Sequence, residues 1–164
     1  MPNTGAKIER KYMAHFINSA VPGETAVYER LGKDLEEYNI EMNANTSDNR
    51  NILGEVNVII DSYAPTADAE PYYARYGTGL FTRLQNIVDN RLVLDDLLTD
   101  VVEVHLWEEE TSGAYPAYKE VAYIEPTSYG GDTTGYQIPF TVHYTGERTA
   151  GTFNPTTKTF TAAA

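Results

Sequence analysis

TGLFTRLQNIVDN, residues 78–90, is the one stretch of this chain with the apolar spacing of an amphipathic helix. Its apolar residues recur every three or four positions and therefore share one face, while polar residues occupy the other. Thr78 precedes them in the position of an N-cap, where its hydroxyl can accept from a free amide of the first turn. We therefore predict one helix over about 78–91. Its core-facing residues are Leu80, Leu84, Ile87 and Val88.

The rest of the chain alternates apolar and polar residues with a period of two, which is typical of half-buried strands. The length of 164 residues suits one domain, spanning 1–164. We predict a mostly β fold, a β-sandwich or barrel that closes on the single flanking helix. Strands are expected at about 7–17, 25–32, 35–45, 54–63, 101–110, 117–125 and 136–145, with a last hairpin within 151–162.

Three segments are predicted to be flexible. They are the N-terminus, a polar hairpin tip at 44–54, and a connection at 61–79 that contains two prolines. We expect this connection to have no secondary structure of its own.

The segment 35–45, LEEYNIEMNAN, has the clearest alternation of any predicted strand. One face is apolar and is expected to point into the core; it carries Tyr38, Ile40 and Met42. The opposite face is wholly polar, without Lys or Arg; it carries Glu37, Asn39, Glu41 and Asn43. On the pattern alone, such a face usually contacts solvent.

The formal net charge of −12 argues against tight binding of nucleic-acid phosphates, which depends on Lys and Arg. Solubility alone could also account for such a surface. The absence of Cys excludes disulfides, thiolate metal sites and a Cys nucleophile. No apolar run approaches the length that spans a membrane, so we expect no membrane association.

The sequence contains little that indicates catalysis. His15, His105 and His143 are widely spaced, which favours structural histidines over a zinc site or a catalytic triad. Gly77-Thr78-Gly79 lacks the third glycine and the basic residue of a phosphate loop, so it is read as a capping turn. The acidic runs at 95–96 and 108–110 lack the spacing of a calcium loop. We predict no enzyme activity, no cofactor and no metal site.

Three long segments together resemble the major tail protein, or tail tube protein, of long-tailed phages that infect Gram-positive bacteria. They are GEVNVIIDSYAPTADAEPYYARYGTGLFTRLQNIVDNRL at 54–92, DVVEVHLWE at 100–108, and YIEPTSYGGDTTGYQIPFTVHYTGERTAGTFNPTTKTFT at 123–161. The resemblance extends over nearly the whole chain, from about residue 7 to 162, and contains no catalytic motif.

This resemblance implies a structural virion protein with the tail tube fold. Hexameric rings would stack into a tube that conducts DNA, and Glu37, Asn39, Glu41 and Asn43 would then face an acidic lumen. The implied partners are further copies of the chain, the tail tip or initiator, the tape measure and tail terminator proteins, and DNA in transit. The implied location is the virion tail, after assembly in the cytoplasm of the bacterial host. Two alternatives are a tube subunit of a contractile tail or phage-derived bacteriocin, and a soluble β-sandwich binding module.

Overall fold

The computed structural model describes residues 3–164, so residues 1 and 2 of the predicted flexible N-terminus lie outside the described residues. One α-helix, α1, spans Gly79–Asn90, and short 3-10 turns lie at Arg10–Tyr12 and Leu94–Leu97. The strands are β1 (Met13–Asn18), β2 (Tyr28–Arg30), β3 (Ile40–Glu41), β4 (Ala44–Arg50), β5 (Val56–Tyr63), β6 (Thr66–Ala69), β7 (Leu98–His105), β8 (Tyr115–Pro126), β9 (Gly130–Asp132), β10 (Gly135–Gln137), β11 (Phe140–Asn154) and β12 (Thr159–Ala162). The mostly β class with one helix is confirmed.

The main sheet is antiparallel and runs in the order β2-β1-β7-β8-β11-β6-β3, with β12 also paired to β11. Its spine is the long hairpin of β8 and β11, whose register shifts between Tyr144 and Arg148. A bulge of this kind bends a strand and increases its twist. Before the bulge β11 also pairs with β6, and after it β11 pairs with β12. The bulge therefore lets one strand serve two regions of the sheet.

Helix α1 packs on one face of this sheet, as its apolar spacing predicts. The Thr78 hydroxyl accepts from the Phe81 amide at 3.4 Å, which confirms the predicted cap. All four predicted core residues, Leu80, Leu84, Ile87 and Val88, are buried. They share a core cluster with residues of the sheet that include Val101, Ile124 and Phe140.

A second core lies on the opposite face of the sheet. Val101 belongs to the helix-side cluster, whereas Val102 belongs to this second one, so β7 is buried on both faces. The Phe16 and Phe153 rings, 4.5 Å apart between centroids, bring β1 and β11 together here. The sheet thus curls so that β1 and β11, which are separated in it by β7 and β8, share a core.

The prediction of a continuous strand over 35–45 is wrong. Within it, only Ile40 and Glu41 pair with the main sheet, through β6, whereas Ala44 and Asn45 already belong to β4. Asn43 has a φ of 48°, and this left-handed conformation turns the chain out of the sheet. Met42, predicted to be in the core, is 51% exposed, whereas Tyr38 is buried as predicted.

The predicted bounds of three other segments also need correction. Residues 44–50, assigned to a hairpin tip, form β4, and the tip itself lies at 51–55. The connection at 61–79 does contain secondary structure, because β6 lies within it between β11 and β3. The first strand begins only at Met13, after the 3-10 turn.

One side chain of the helix also differs from the prediction. Arg83 belongs to the predicted polar face, yet it is buried and only 3% exposed.

Candidate functional site

One exposed face of the sheet presents polar side chains from four neighbouring strands. Thr66 lies opposite both Glu41 and His143, and Thr141 lies opposite both Asp68 and Glu125. The alternate residues of these strands point to the helix side and include the buried Ala67, Val142 and Ile124. We call the polar face, with its edge residues, the acidic wall; it comprises Glu37, Asn39, Glu41, Thr66, Asp68, Glu70, Glu125, Thr141 and His143.

The acidic wall contains five carboxylates and no Lys or Arg. Three of them are held by neighbours on the wall, and the first of these, Glu37, accepts a hydrogen bond from the Asn39 amide. The Thr141 hydroxyl donates to Asp68 Oδ1 at 2.6 Å, and His143 Nε2 lies 2.8 Å from Glu125 Oε2. The edge residues and β6 enclose a cavity of about 280 Å³. This surface is exposed to solvent and negatively charged, and it contains no Lys or Arg that could bind a phosphate.

The structure brings together three of the four residues predicted to line a lumen. Glu37, Asn39 and Glu41 are all exposed and line the cavity at the edge of the acidic wall. Asn43 does not line this cavity, but its amide donates to the Ala64 carbonyl and to the Thr66 hydroxyl of the acidic wall, both at 3.0 Å.

Sequence reasoning missed the rest of the acidic wall. The alternation in TADAE at 66–70 places Asp68 beside Glu41 on the sheet, and this was the available signal. Prolines at 65 and 71 favoured a loop there and obscured it. No local signal in β8 or β11 indicates that Glu125 and His143 belong to the same surface.

A second feature is the two-stranded ribbon of β4 and β5, with its tip, at residues 44–63. Every residue of both strands is exposed, and the ribbon pairs with no strand of the main sheet. Val56, Val58 and Ile60 alternate along one face of β5, and Ile52 and Leu53 project at the tip. An isolated two-stranded hairpin is marginally stable in water. Contiguous exposed apolar residues of this kind mark an interaction surface.

A third feature is a partly buried ionic network at the end of β7. Arg148 lies 3.0 Å from Glu120 Oε1 and 3.4 Å from Glu103 Oε1. His105 Nε2 is 2.8 Å from the same Glu103 oxygen. Burial alone would raise the pKa of Glu103, but the His105 hydrogen bond and the Arg148 charge outweigh it and lower that pKa below its ordinary value.

His15 lies behind this network and is 5% exposed. Its Nε2 is 3.9 Å from Glu103 Oε2 and has no hydrogen-bond partner. Burial lowers the pKa of His15 to about 4, against the opposing effect of the Glu103 charge, so the ring is neutral at neutral pH. His105 and His143 each form a hydrogen bond with a glutamate, as expected of structural histidines, whereas His15 does not.

Among residues 3–164, no group of three or more His, Asp or Glu side chains is placed to hold a metal ion. The helices of that range include none long and apolar enough to cross a membrane. Comparison of the chain with models of known protein families and with curated protein sequences gives no match.

Proposed function

We propose that this protein is a structural subunit that assembles with copies of itself into rings and stacks them as the tail tube of a long-tailed phage. The observation that carries the proposal is the exposed apolar ribbon at 44–63. The resemblance of three segments to tail tube proteins supports the same function. In this proposal the protein is located in the virion tail, and tail tip, tape measure and tail terminator proteins are its other partners.

The ribbon supports self-assembly because its apolar side chains remain exposed in the subunit as described by residues 3–164. Apolar surface stabilises an assembly by roughly 25 cal/mol for each Å² removed from water. Packing of the ribbon against the next subunit would bury both a face of β5 and the tip. A flat ribbon left uncovered would instead be prone to aggregation.

The acidic wall supports the passage of DNA through such a tube. Duplex DNA carries one negative charge per roughly 1.7 Å of its axis, and proteins bind it by neutralising phosphates with Lys and Arg. A lumen formed by this wall would repel the backbone weakly and give it no cation to bind. DNA would then move through the tube without being retained.

The test is assembly of the purified protein as a function of concentration, followed by light scattering and electron microscopy. We expect tubes of uniform diameter above a critical concentration, with tail initiator proteins supplied if nucleation is slow. Val56→Thr with Val58→Thr keeps β-branched residues in the ribbon but removes apolar surface. Because each lost methyl group is worth about 0.8 kcal/mol, the critical concentration should rise roughly tenfold.

Val21→Thr with Val27→Thr is the matched control, since Val27 and Val56 are both 56% exposed. This control should assemble like the wild type. A wild-type protein that stays monomeric at high concentration, with initiator proteins present, would contradict the proposed function. If the critical concentration for tube assembly rises equally in both variants, the ribbon does not lie in the interface.

A further inference from the structure

A cavity of about 460 Å³ near the start of β1 has a cationic lining that is unusual for this acidic chain. Four of the twelve Lys and Arg residues line it, against two carboxylates, Glu36 and Glu37. We call it the cationic pocket; its basic residues are Arg10, Lys11, Arg30 and Lys33. Met13, Leu31 and Leu35 add apolar surface. The volume lies within the range of ligand-binding sites, roughly 300–1,000 Å³.

The cations of this pocket are mostly not neutralised within the subunit. Arg10 donates to the carbonyls of Met13 and Tyr38, and Arg30 donates to that of Lys11. In the described part of the chain, the Lys33 ammonium has no carboxylate within ion-pair distance, and Lys11 pairs only with Glu9. The buried His15 also lies in the lining of the pocket. The pocket is therefore suited to an acidic occupant.

A surface of complementary chemistry lies at the other end of β7. Val93 and Leu94 are 60% and 78% exposed, and the adjacent Asp95 and Asp96 are exposed as well. Neither carboxylate has a side-chain partner within residues 3–164, although both residues have backbone hydrogen bonds that fix the turn. We call residues 93–96 the acidic knob. It combines two apolar side chains with two negative charges, as the cationic pocket combines apolar surface with positive charge.

The knob and the pocket lie at opposite ends of the same strand. The knob comes directly before Leu98, where β7 begins, and the pocket residue Met13 pairs with His105, where β7 ends. At roughly 3.3 Å per residue, they are separated by more than about 20 Å. One subunit cannot bring them together. Two copies related head to tail can, and repetition of such a contact builds an open stack where its rotation does not close into a ring.

We propose that the acidic knob of one subunit docks in the cationic pocket of the next copy. This inference rests on the proposed self-assembly and names one contact that directs it. The Asp95 and Asp96 carboxylates would approach Lys11, Lys33 and the arginines, while Val93 and Leu94 would cover the apolar part of the pocket. The contact is directional, because the knob and the pocket are different surfaces. It therefore gives every subunit of a stack the same orientation.

Charge reversal tests this contact. Asp95→Lys with Asp96→Lys, or Lys11→Glu with Lys33→Glu, places like charges together and should raise the critical concentration about tenfold or more. Both pairs of changes in one chain should restore assembly towards the wild type. The matched control is Glu109→Lys with Glu110→Lys, which reverses two exposed charges beyond the other end of β7 and should assemble normally. Thermal melts of the monomers are the control that establishes whether each variant folds.

Cross-linking gives an independent measurement, because the wild-type chain has no Cys. Assembled mixtures of Asp96→Cys and Lys33→Cys subunits should give a dimer with a short bis-maleimide, while neither variant alone should. Such a reagent tolerates Cα separations above the roughly 7 Å that a disulfide allows. Tubes that form unaffected by the charge reversals, or without the cross-link, would overturn this contact but leave the proposed function standing. A wild type that never assembles would overturn both.

Discussion

His15 is a buried titratable residue surrounded by other ionisable groups. It is packed between β7 and Tyr38, whose ring centroid is 4.9 Å away, and Glu103 and His105 on β7, Arg148 on β11 and Arg10 are the charged groups around it. In the unfolded chain the ring titrates near its ordinary pKa of 6.5, and in the folded protein near pH 4. Between these values the unfolded state binds a proton that the folded state does not. Stability must therefore fall as the pH falls from 6.5 to 4.

We predict that this histidine accounts for up to about 3 kcal/mol of stability lost between pH 6.5 and pH 4. His15→Gln should reduce the pH dependence in that window, whatever its effect on stability at pH 7. Urea unfolding of the monomer at a series of pH values measures both quantities. His143→Gln, which removes an exposed imidazole but keeps His15, should retain the wild-type loss. Equal pH dependence in His15→Gln and the wild type would contradict the prediction.

Arg83 shows where residue-level prediction stops. Its helical position places it among polar residues, yet it is buried and donates to the backbone carbonyls of Asn18, Asp96 and Leu98. Asn18 lies 65 positions away in sequence, so the periodicity of the helix cannot indicate that contact. Burial lowers the pKa of this guanidinium, partly offset by the Asp100 charge. A long side chain near the edge of an apolar face can be drawn into the fold by distant acceptors.

At the scale of elements, the helix was predictable because its whole pattern is local. Leu84 is completely buried under it, so Leu84→Ala should cost about 2–5 kcal/mol of unfolding free energy. Ile52→Ala at the fully exposed ribbon tip is the control and should change stability by less than about 0.5 kcal/mol. Denaturant melts of monomers measure both. A Leu84→Ala cost near zero would mean that the helix does not stabilise the sheet.

The strands were only partly predictable, because nine were expected, counting two for the final hairpin, and the described residues form twelve. Period-2 alternation identifies β7, β8 and the final hairpin, where the partners are neighbours in sequence. It fails at 35–45, because a strand also needs a partner, and only Ile40 and Glu41 find one on β6. The same pairing converts the proline-flanked residues 66–69 from a predicted loop into β6. Long-range pairing decides where these strands begin and end, and a single sequence does not reveal it.

At the scale of the whole molecule, the acidic wall is a surface formed by segments that lie far apart in the sequence. The segment 35–45 revealed its edge through the absence of Lys and Arg, but β6, β8 and β11 contribute its larger part. Those strands meet along the part of β11 that precedes its bulge. The charge of the wall can be changed at exposed positions whose side chains do not pack in the core. An effect on DNA passage can then be measured without an effect on folding.

Glu41→Lys with Glu70→Lys tests the wall in the assembled tube. Both side chains are exposed, neither forms an ion pair in residues 3–164 and neither lines the cationic pocket, so the subunit should fold and assemble nearly as the wild type does. The added lysines, repeated around every ring, would bind phosphates and release counterions. Phage particles carrying the change should eject DNA more slowly, most clearly at low salt, where charges are least screened. Glu109→Lys with Glu110→Lys adds the same charge away from the wall and should leave ejection unchanged. Equal ejection rates in both variants across a salt series, with normal tails confirmed by microscopy, would mean that DNA does not pass along this wall.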